Sequence, residues 1–405
     1  MKKEFAKVFL MGICTGISMA LIVLILLQYI GVIPRWWNSK LSTEVGESAA
    51  VIEQYIDRYY WKDNVTDEEL KEASAKGMVS ALDDKYSVYY TSKEYKEAIN
   101  SVNGDYMGIG AVIRYQSETD EKIIESIQED TPAQRSGLKE GDRIIKVDGV
   151  DISNLGLSET VEMIKGKDGK EGKESTLTIL RAEGDTTVEK EIKVVSEKIV
   201  TNSVSFRMLE DHMGYIQIKE FDKETVNQYK NALDSLQKEQ MSGLVIDVRN
   251  NGGGSLSACI SMLDRMLPKG KLITETSKAK KDTEYTSTDE EHFDQPVVIL
   301  INGNSASASE VFAGTMQDRE AATLVGVTSY GKGIVQTIYS LEKLCGGGLK
   351  LTTGEYLLPS GRSIHEKGLT PDIEVSYQGT SNEIGGSDDN QLDKAKEILK
   401  TKLEE

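Results

Sequence analysis

From residue 196 onward the chain alternates between short apolar segments and amphipathic ones, and this alternation constrains the fold more than any other feature. Residues 214–218, 243–248 and 297–301 are apolar over the length of a buried strand, whereas residues 223–237 and 256–266 have apolar positions at helical spacing. Strands that alternate with helices predict a layered α/β core. Because ligands bind such sheets at the carboxyl ends of the strands, we expect a site in the segments that follow them.

A serine-rich turn follows one of these predicted strands. Residues 302–310 read Asn-Gly-Asn-Ser-Ala-Ser-Ala-Ser-Glu and precede a helical pattern, and further along Lys332 stands between two glycines. A serine at a strand-to-helix turn can be a nucleophile, and a lysine in a confined loop can be its base. The pattern predicts a serine peptidase with a Ser–Lys centre. Spacing alone does not separate the three candidate nucleophiles, Ser305, Ser307 and Ser309.

These residues also have purely structural interpretations. Ser307 and Glu310 have the S-x-x-E spacing of a helix capping box. Most lysines are solvated surface charges that titrate near ~10.4, so Lys332 would have to be desolvated, or placed beside another cation, to act as a base. Gln336 follows on a strand-like pattern at 334–341 and could face the same side as the lysine and orient its amine.

A glycine run supplies the third element of the predicted centre. Gly252, Gly253 and Gly254 follow a predicted strand, and backbone amides in such a run can bind an oxyanion. A tight strand-to-helix turn is the structural interpretation of the same glycines, and the two interpretations are compatible.

Two other enzyme classes fit the sequence less well. The three histidines, at positions 212, 292 and 365, have no spacing that indicates a Ser–His–Asp triad. Residues 326–332 match G-x-x-x-x-G-K, but Gly333 stands where a phosphate-binding loop needs Ser or Thr, and a strand pattern follows where that loop needs a helix.

Composition limits the expected partners and cofactors. The net charge of −18 argues against nucleic acid, because phosphate neutralisation needs a surplus of Lys and Arg. The three cysteines, Cys14, Cys259 and Cys345, form neither a disulfide framework nor a zinc-binding spacing. No metal, nucleotide or other cofactor is expected.

The N-terminus predicts a membrane anchor. Residues 8–34 carry no charge and are long enough, at ~1.5 Å per residue, to cross a ~30 Å hydrocarbon core as a helix. Lysines precede this run, so residues 1–7 are expected in the cytoplasm and the bulk of the chain outside. A cleaved signal peptide is the alternative, but the run is longer than usual and no small-x-small cleavage site follows it.

The remaining segments complete the predicted domain plan. Residues 35–100 have helical patterns, and residues 101–195 contain short strand-like pieces and two helices, as in a small α+β module. The core occupies residues 196–377. Residues 378–405 contain a polar linker and a final amphipathic helix.

Several of these segments resemble the carboxy-terminal processing (tail-specific) serine proteases. The matching stretches are GYIQIKEF at 214–221, IDVRNNGGG at 246–254, INGNSASASEVFAGTMQD at 301–318, LVGVTSYGKGIVQ at 324–336, PSGRSIHEKGLTPDI at 359–373 and ALDDKYSVYY at 81–90. The resemblance implies that Ser307 is the nucleophile, that Lys332 is the base and that Gln336 assists it. It also implies that the amides of Ala308 and Gly253 bind the oxyanion.

Residues 101–195 are similar to a PDZ domain. GLKEGDRIIKVDG at 137–149 matches the signature strand of that family. A peptide C-terminus would add to such a domain as an extra strand, with loop amides holding its carboxylate. The resemblance assigns that loop to Met107, Gly108, Ile109 and Gly110. Lys165 stands where relatives often have arginine, and lysine lacks the bidentate fork of arginine.

Together these features predict a multidomain α+β protein with an N-terminal transmembrane helix, a helical segment, a PDZ-like domain and a layered α/β (crotonase-like) serine protease core. The expected function is endoproteolysis of exported proteins from or near their C-termini, with the catalytic part extracytoplasmic. The expected partners are the membrane and protein substrates bound through their C-termini, and the helical segments could mediate a homodimer. The alternatives are an inert, membrane-tethered PDZ adaptor and a latent protease that peptide binding activates.

Overall fold

A computed structural model describes residues 40–62, 64–103, 105–116, 119–166, 171–184, 186–200, 202–288, 292–344, 346–379 and 384–404. The predicted anchor at 8–34 lies outside these ranges. Within them, no helix has the length and apolar character needed to span a membrane. The chain divides into two compact units, Met1–Asp83 and Asp84–Glu405, and each is described by itself.

The described part of the first unit is helical, as predicted. Helix α1 spans Lys40–Tyr59 and α2 spans Asp67–Ser80. The start of α2 is fixed by a reciprocal cap: the Thr66 hydroxyl accepts from the Glu69 N–H, and the Glu69 carboxylate accepts from the Thr66 N–H at 2.7 Å. Such a cap satisfies backbone donors that a helix start leaves without partners.

The second unit contains the other regular elements of the described residues. Its helices are α3 (Ser92–Asn103), α4 (Pro132–Arg135), α5 (Leu157–Lys165), α6 (Lys223–Lys238), α7 (Leu256–Met266), α8 (Ala308–Asp318) and α9 (Asn390–Glu404). Its strands are β1 (Val88–Tyr90), β2 (Asp105–Gly108), β3 (Ala111–Gln116), β4 (Glu121–Ile127), β5 (Arg143–Val147), β6 (Val150–Asp151), β7 (Glu174–Glu183), β8 (Thr186–Val195), β9 (Glu197–Val200), β10 (Val204–Met208), β11 (Met213–Ile218), β12 (Gly243–Asp247), β13 (Gly270–Ser277), β14 (Thr283–Ser287), β15 (Val297–Ile301), β16 (Thr323–Gly326), β17 (Ile334–Ser340), β18 (Gly348–Leu357) and β19 (Ile373–Glu374).

A six-stranded sheet with the order β10-β11-β12-β15-β16-β19 forms the centre of the core. Its pairs are parallel, except that β10 runs antiparallel to β11. Both faces are covered: Ile246 and Ile299 pack in the cluster that includes α6, α7 and α8, whereas Val245 and Val298 pack against α9. Helices on both faces of a mostly parallel sheet confirm the predicted layered α/β core.

A second, antiparallel sheet extends the core beyond what the sequence predicted. Its strands run in the order β1-β18-β13-β14, and β17 also pairs with β18. Only β17 was expected from the sequence. Strand β1 lies in the region 35–100 for which helices were predicted, and it pairs with β18 through Val88 and Lys350.

Residues that precede the core form a smaller module around their own apolar cluster. Its sheet has the order β3-β4-β5-β7-β8, with β6 on β5, and α4 and α5 accompany it. Strand β3 lies at the outer edge of this sheet. Its cluster includes Ile124, Val147 and Leu177, which are buried. This arrangement agrees with the predicted small α+β module.

A buried ionic cluster joins α9 to the central sheet. Arg249 lies two residues after the end of β12. Its Nη2 donates to the carboxylates of Asp247 and Asp389, at 2.6 Å in each case, and its Nη1 donates to Gln391 Oε1 at 2.7 Å. Asp247 also accepts from the Tyr215 hydroxyl. Arg249, with which the glycine-rich turn begins, is therefore held by side chains at the start of α9 and immediately before it.

Replacing Asp389 tests this cluster. Asp389→Ala removes one carboxylate from a guanidinium that is only 3% exposed, and it also removes an acceptor of the Leu392 N–H at the start of α9. Breaking a buried ion pair costs ~3–5 kcal/mol, so urea unfolding should show a loss of about 3 kcal/mol or more. The matched control is Asp393→Ala, an exposed carboxylate paired with Lys396 on α9, which should cost ~1 kcal/mol or less. Equal losses would contradict the assignment.

Candidate active site

Ser307 lies in a sharp turn between a buried strand and a buried helix. Strand β15 ends at Ile301 and α8 begins at Ala308, so Ser307 is the residue immediately before the helix. Its backbone has φ 57° and ψ −117°, a region that costs a non-glycine residue ~1–3 kcal/mol and is concentrated at functional sites. The half-buried side chain makes no capping hydrogen bond to the helix.

The other two candidate serines have structural partners. Ser305 Oγ donates to the Val248 carbonyl at 2.7 Å, and Ser309 Oγ donates to the Asn251 carbonyl at 2.9 Å. Both side chains are fully buried. In the described residues the Ser307 hydroxyl makes no hydrogen bond, so it is the one of the three that is available to a substrate.

Glu310 accepts hydrogen bonds from both the serine turn and the lysine loop. Its Oε2 accepts from the backbone N–H groups of Ser307, at 2.9 Å, and Lys332, at 2.8 Å. Its Oε1 accepts from the Gly331 N–H at 2.7 Å and the Ser329 hydroxyl at 2.5 Å. One oxygen atom thus lies between the backbones of both predicted catalytic residues. The sequence indicated Glu310 only as half of a capping box.

Lys332 lies between β16 and β17 with its side chain half-buried. Its Nζ lies 4.7 Å from the centroid of the Tyr86 ring. Burial, and then the nearby charge of Lys350, lower the pKa of Lys332, which is the direction that a lysine base requires. No hydrogen bond joins its Nζ to Ser307 Oγ in the part of the chain that the structure describes. Such bonds are often long in enzymes without substrate.

Gly253 lies against the serine turn, but its amide is occupied. A side chain at this position would lie 2.8 Å from Ser307 Cβ, so the close approach requires glycine. The Gly253 N–H donates to Asn251 Oδ1 at 2.8 Å, and the Asn251 side chain in turn donates to the Ile218 carbonyl. The predicted role of Gly253 as an oxyanion donor therefore requires its bond to Asn251 to break first.

Ala308 offers the predicted second amide. It is the first residue of α8, where an N–H group has no partner within its own helix. Across the described ranges no other acceptor takes this N–H. The positive end of the helix dipole lies at the same point, so a negative oxygen beside Ser307 would be stabilised there.

Gln336 does not reach Lys332 in this structure. It stands on β17 next to a register shift between Val335 and Gln336. Its side-chain amide lies 3.4 Å from the carbonyl of Ile334 on its own strand, rather than on the lysine amine. A bulge turns side chains away from simple alternation, and no local pattern in the sequence predicted this one. The assisting role of Gln336 stays a prediction.

A groove of about 660 Å³ lies beside the edge strand β3 of the smaller module. Its lining includes Gly108, Ile109 and Gly110 on one side and Ile164 and Lys165, from α5, on the other. An open strand edge beside a groove is the arrangement that accepts an extended peptide as an added strand.

The backbone positions of two predicted loop residues, Gly110 and Met107, indicate whether each belongs to the groove. Gly110 has φ 77°, and a Cβ there would lie 2.2 Å from Thr131 Cβ, so no side chain fits. Met107 lies on β2, opposite Lys198 of β9, and it is not among the residues that line the groove. The loop prediction thus fits the groove at Gly108, Ile109 and Gly110, but not at Met107.

The sequence missed three residues of this site. Glu310 and Asn251 were visible next to the serine and glycine motifs, and a buried acid or amide needs hydrogen-bond partners. Their long-range partners, Lys332 for Glu310 and Ile218 for Asn251, could not be identified from local sequence. Tyr86 carried no local signal, because only the pairing of β1 with β18 brings it to the lysine.

Glu310 can be tested through stability. Glu310→Gln keeps the shape of the side chain but places an NH₂ group where the carboxylate accepts bonds. At least one buried donor then loses its partner, so the free energy of unfolding should fall by ~2–4 kcal/mol. Glu320→Gln, an exposed acid after the same helix, should change it by ~0.5 kcal/mol or less. Chemical denaturation measures the free energy of unfolding of both variants. An unchanged free energy of unfolding in Glu310→Gln would refute the role of this carboxylate.

Comparison with known families agrees with this architecture. Residues 212–375 match the model of peptidase family S41, and residues 99–180 match the PDZ domain. A solved structure described as an S41 protease from Bacteroides fragilis superimposes with a TM-score of 0.52 at 17% identity, over 85% of this chain and 91% of that one. At that identity the likeness shows the fold alone.

Curated relatives are similar over a longer stretch. Two of them are described as probable CtpA-like serine proteases, and each is 37% identical to this chain. The match to the protein from Staphylococcus aureus strain MRSA252 covers 78% of this chain and 62% of that protein. The match to the protein from Staphylococcus haemolyticus covers 80% of this chain and 64% of that protein. The matched part spans less than two thirds of these relatives' own length. The family models and these relatives confirm the resemblance found in the sequence. Residues 212–375 thus form a peptidase domain that matches family S41, and a PDZ domain precedes it.

Proposed function

We propose that this protein is a serine endopeptidase in which Ser307 is the nucleophile and Lys332 the general base. The observation that carries the proposal is the Glu310 carboxylate, whose single Oε2 accepts from the backbones of both residues. The strained turn at Ser307, its unengaged hydroxyl and the lowered pKa of Lys332 support the same assignment.

The proposed reaction follows from these positions. Ser307 Oγ attacks the scissile carbonyl carbon while its proton passes to the neutral Nζ of Lys332. The oxyanion is stabilised by the Ala308 N–H and by a second amide from the glycine turn. Collapse of the intermediate releases the amine product, which takes the proton from Lys332. A water molecule, deprotonated by the same lysine, then hydrolyses the acyl-enzyme.

The observed arrangement favours a resting form that rearranges before turnover. The Gly253 amide is bonded to Asn251, the Lys332 amine lies on the Tyr86 ring, and the Gln336 amide lies on its own strand. Each of these groups would have to turn toward Ser307 for the proposed chemistry. The latent-protease hypothesis is therefore part of the proposal.

We further propose that the groove beside β3 binds the C-terminus of the substrate, and that cleavage occurs near that end. The outer edge of β3, the left-handed turn at Gly110 and the position of Lys165 beside the groove support peptide addition with capture of a carboxylate. From the sequence, the expected setting is the outer face of the cell membrane, with residues 8–34 as an anchor, exported proteins as substrates and homodimers as an expected assembly.

Substitution of the two proposed catalytic residues tests the reaction. Ser307→Ala and Lys332→Ala in the full-length chain should each reduce cleavage of unfolded casein by at least ~10³-fold, because neither variant can form the activated alkoxide. Ser261→Ala and Lys343→Ala, both exposed, serve as matched controls and should keep full activity. A serine-reactive fluorophosphonate should label Ser307 in the wild type only.

The outcomes separate the proposal from its alternative. Full activity in Lys332→Ala would refute the base, and labelling of another serine would refute the nucleophile. No cleavage by the wild-type chain, even with a groove-binding peptide present, would favour the inert PDZ adaptor.

A second experiment addresses the groove. A fluorescent peptide with an apolar C-terminal residue should bind the full-length chain, and amidation of its carboxylate should weaken binding about tenfold, which corresponds to ~1.4 kcal/mol. Lys165→Ala should weaken binding of the free acid more than that of the amide. Lys193→Ala, an exposed lysine on β8, should change neither affinity. Equal affinity for acid and amide in fluorescence anisotropy would contradict carboxylate recognition.

A further inference from the structure

A short segment that precedes the PDZ domain forms one wall of the candidate active site. Residues 84–90 lie outside both segments that match family models, 99–180 and 212–375. Strand β1, the second half of this segment, adds to the edge of β18. The first half is fixed by Ser87, whose hydroxyl donates to Asp84 Oδ2 at 2.5 Å and accepts from the Thr352 N–H at 3.0 Å.

Tyr86 stands between these two anchors. Its backbone N–H donates to Asp84 Oδ1 at 3.0 Å. The half-buried ring faces Lys332, with 4.7 Å between the ring centroid and the lysine Nζ. The ring also contacts Lys85, whose Nζ lies 4.9 Å from the ring centroid. The same Nζ donates a hydrogen bond to the Tyr330 hydroxyl at 3.0 Å. The ring is therefore fixed from its own segment and from the lysine loop.

We propose that Tyr86 is a positioning residue for Lys332: in the resting form its ring excludes water from one side of the lysine amine and holds the amine until it turns toward Ser307. The inference rests on the proposed role of Lys332 as general base. It adds to that role a residue from a segment that neither family match includes.

The ring has two opposing effects on the lysine. It attracts the charged ammonium by a cation–π interaction, worth ~0.5–2 kcal/mol. It also excludes water, which favours the neutral amine, and full burial of a lysine can lower its pKa by up to about 3–5 units at ~1.4 kcal/mol each. Burial is the largest cause of the lowered pKa of Lys332. The proposal requires that exclusion of water by the ring outweighs its attraction for the ammonium, and the titration of Lys332 in Tyr86→Leu measures which effect is larger.

Other charged and titratable groups around Lys332 act in both directions. Lys350, on β18, lowers its pKa by charge repulsion. Tyr330 from its own loop, Asp84 from the segment 84–90 and Glu310 from α8 raise it. Tyr330 also hydrogen-bonds the Tyr86 side chain, so Tyr86→Phe, which removes only the hydroxyl, separates the effect of that bond from the effect of the ring.

The decisive experiment measures the titration of Lys332 with and without the ring. Full-length Tyr86→Leu should show the acid limb of its kcat/KM profile shifted upward by about one pH unit, because water then reaches the amine. Activity should be lower by about tenfold at pH values below both midpoints and should recover as the pH rises. Tyr86→Phe keeps the ring and should match the wild type. Tyr339→Leu, which removes an exposed tyrosine from β17, should also match it.

A second readout does not depend on proteolysis. In full-length chains carrying Ser307→Ala, the rate of acetylation of Lys332 by acetic anhydride, followed by mass spectrometry against pH, gives the midpoint of the amine directly. Tyr86→Leu should raise this midpoint by the same amount. An unchanged or lowered midpoint would overturn the proposal. If the leucine variant does not fold, as judged by circular dichroism, Tyr86→Met is scored by the same criterion.

The two readouts distinguish the failure of this inference from failure of the proposed function. If Lys332→Ala remains active while the acetylation midpoint still rises in Tyr86→Leu, the lysine is not the base but the ring contact is correct. If Lys332→Ala is inactive and the acetylation midpoint does not move, the Ser–Lys centre stands and Tyr86 has no positioning role.

Discussion

The candidate site depends on one buried carboxylate. Glu310 accepts from the Ser307 turn and from the loop of Lys332, and each of its oxygens accepts two hydrogen bonds. A buried carboxylate is tolerated only when its hydrogen bonds are satisfied. The conformation of the serine turn therefore depends on that of the lysine loop, because both donate to the same carboxylate. This bond helps to hold the strained backbone of the serine, because its N–H donates to the Glu310 carboxylate in the observed conformation.

Polar hubs of this kind recur around the site. Asn251 holds the glycine turn against the serine turn, since its side chain binds Gly253 and its carbonyl accepts from the Ala306 N–H and the Ser309 hydroxyl. Arg249, two residues earlier, is held by the cluster at Asp389. The scaffold is therefore rigid, while the groups that need to move for catalysis are the exchangeable ones: an amide on Asn251 and an amine on a ring.

The sequence predicted those parts of the fold whose signal is local. Helix α7 and strand β15 have the predicted bounds, because fully apolar strands and amphipathic helices are recognisable by period alone. Strands β13, β14 and β18 were missed, because their residues are mostly half-exposed and their order comes from pairing across the chain.

At the candidate site, too, local features could be predicted from the sequence and long-range contacts could not. Ser307 and Lys332 could be predicted from short motifs that place a nucleophile and a base in turns. The bonds from Glu310 to the lysine loop and the side-chain direction of Gln336 could not, since they depend on a tertiary contact and on a bulge. The bond between Asn251 and Gly253 is local, but it was not predicted from the sequence. Tyr86 is the extreme case, because no local pattern connects it with the lysine.

The pairing of β1 with β18 joins Val88 to Lys350, and it has a consequence for the newly made chain. The early strand waits for its partner until most of the polypeptide has emerged, and bringing such distant segments together is a slow, late event in folding. The wall beside the lysine and the Arg249 cluster both need the last part of the chain. A chain folded only as far as its PDZ domain would therefore lack the pairing that brings Tyr86 to Lys332, and in the proposed enzyme the surroundings of the base are incomplete until β18 has paired with β1.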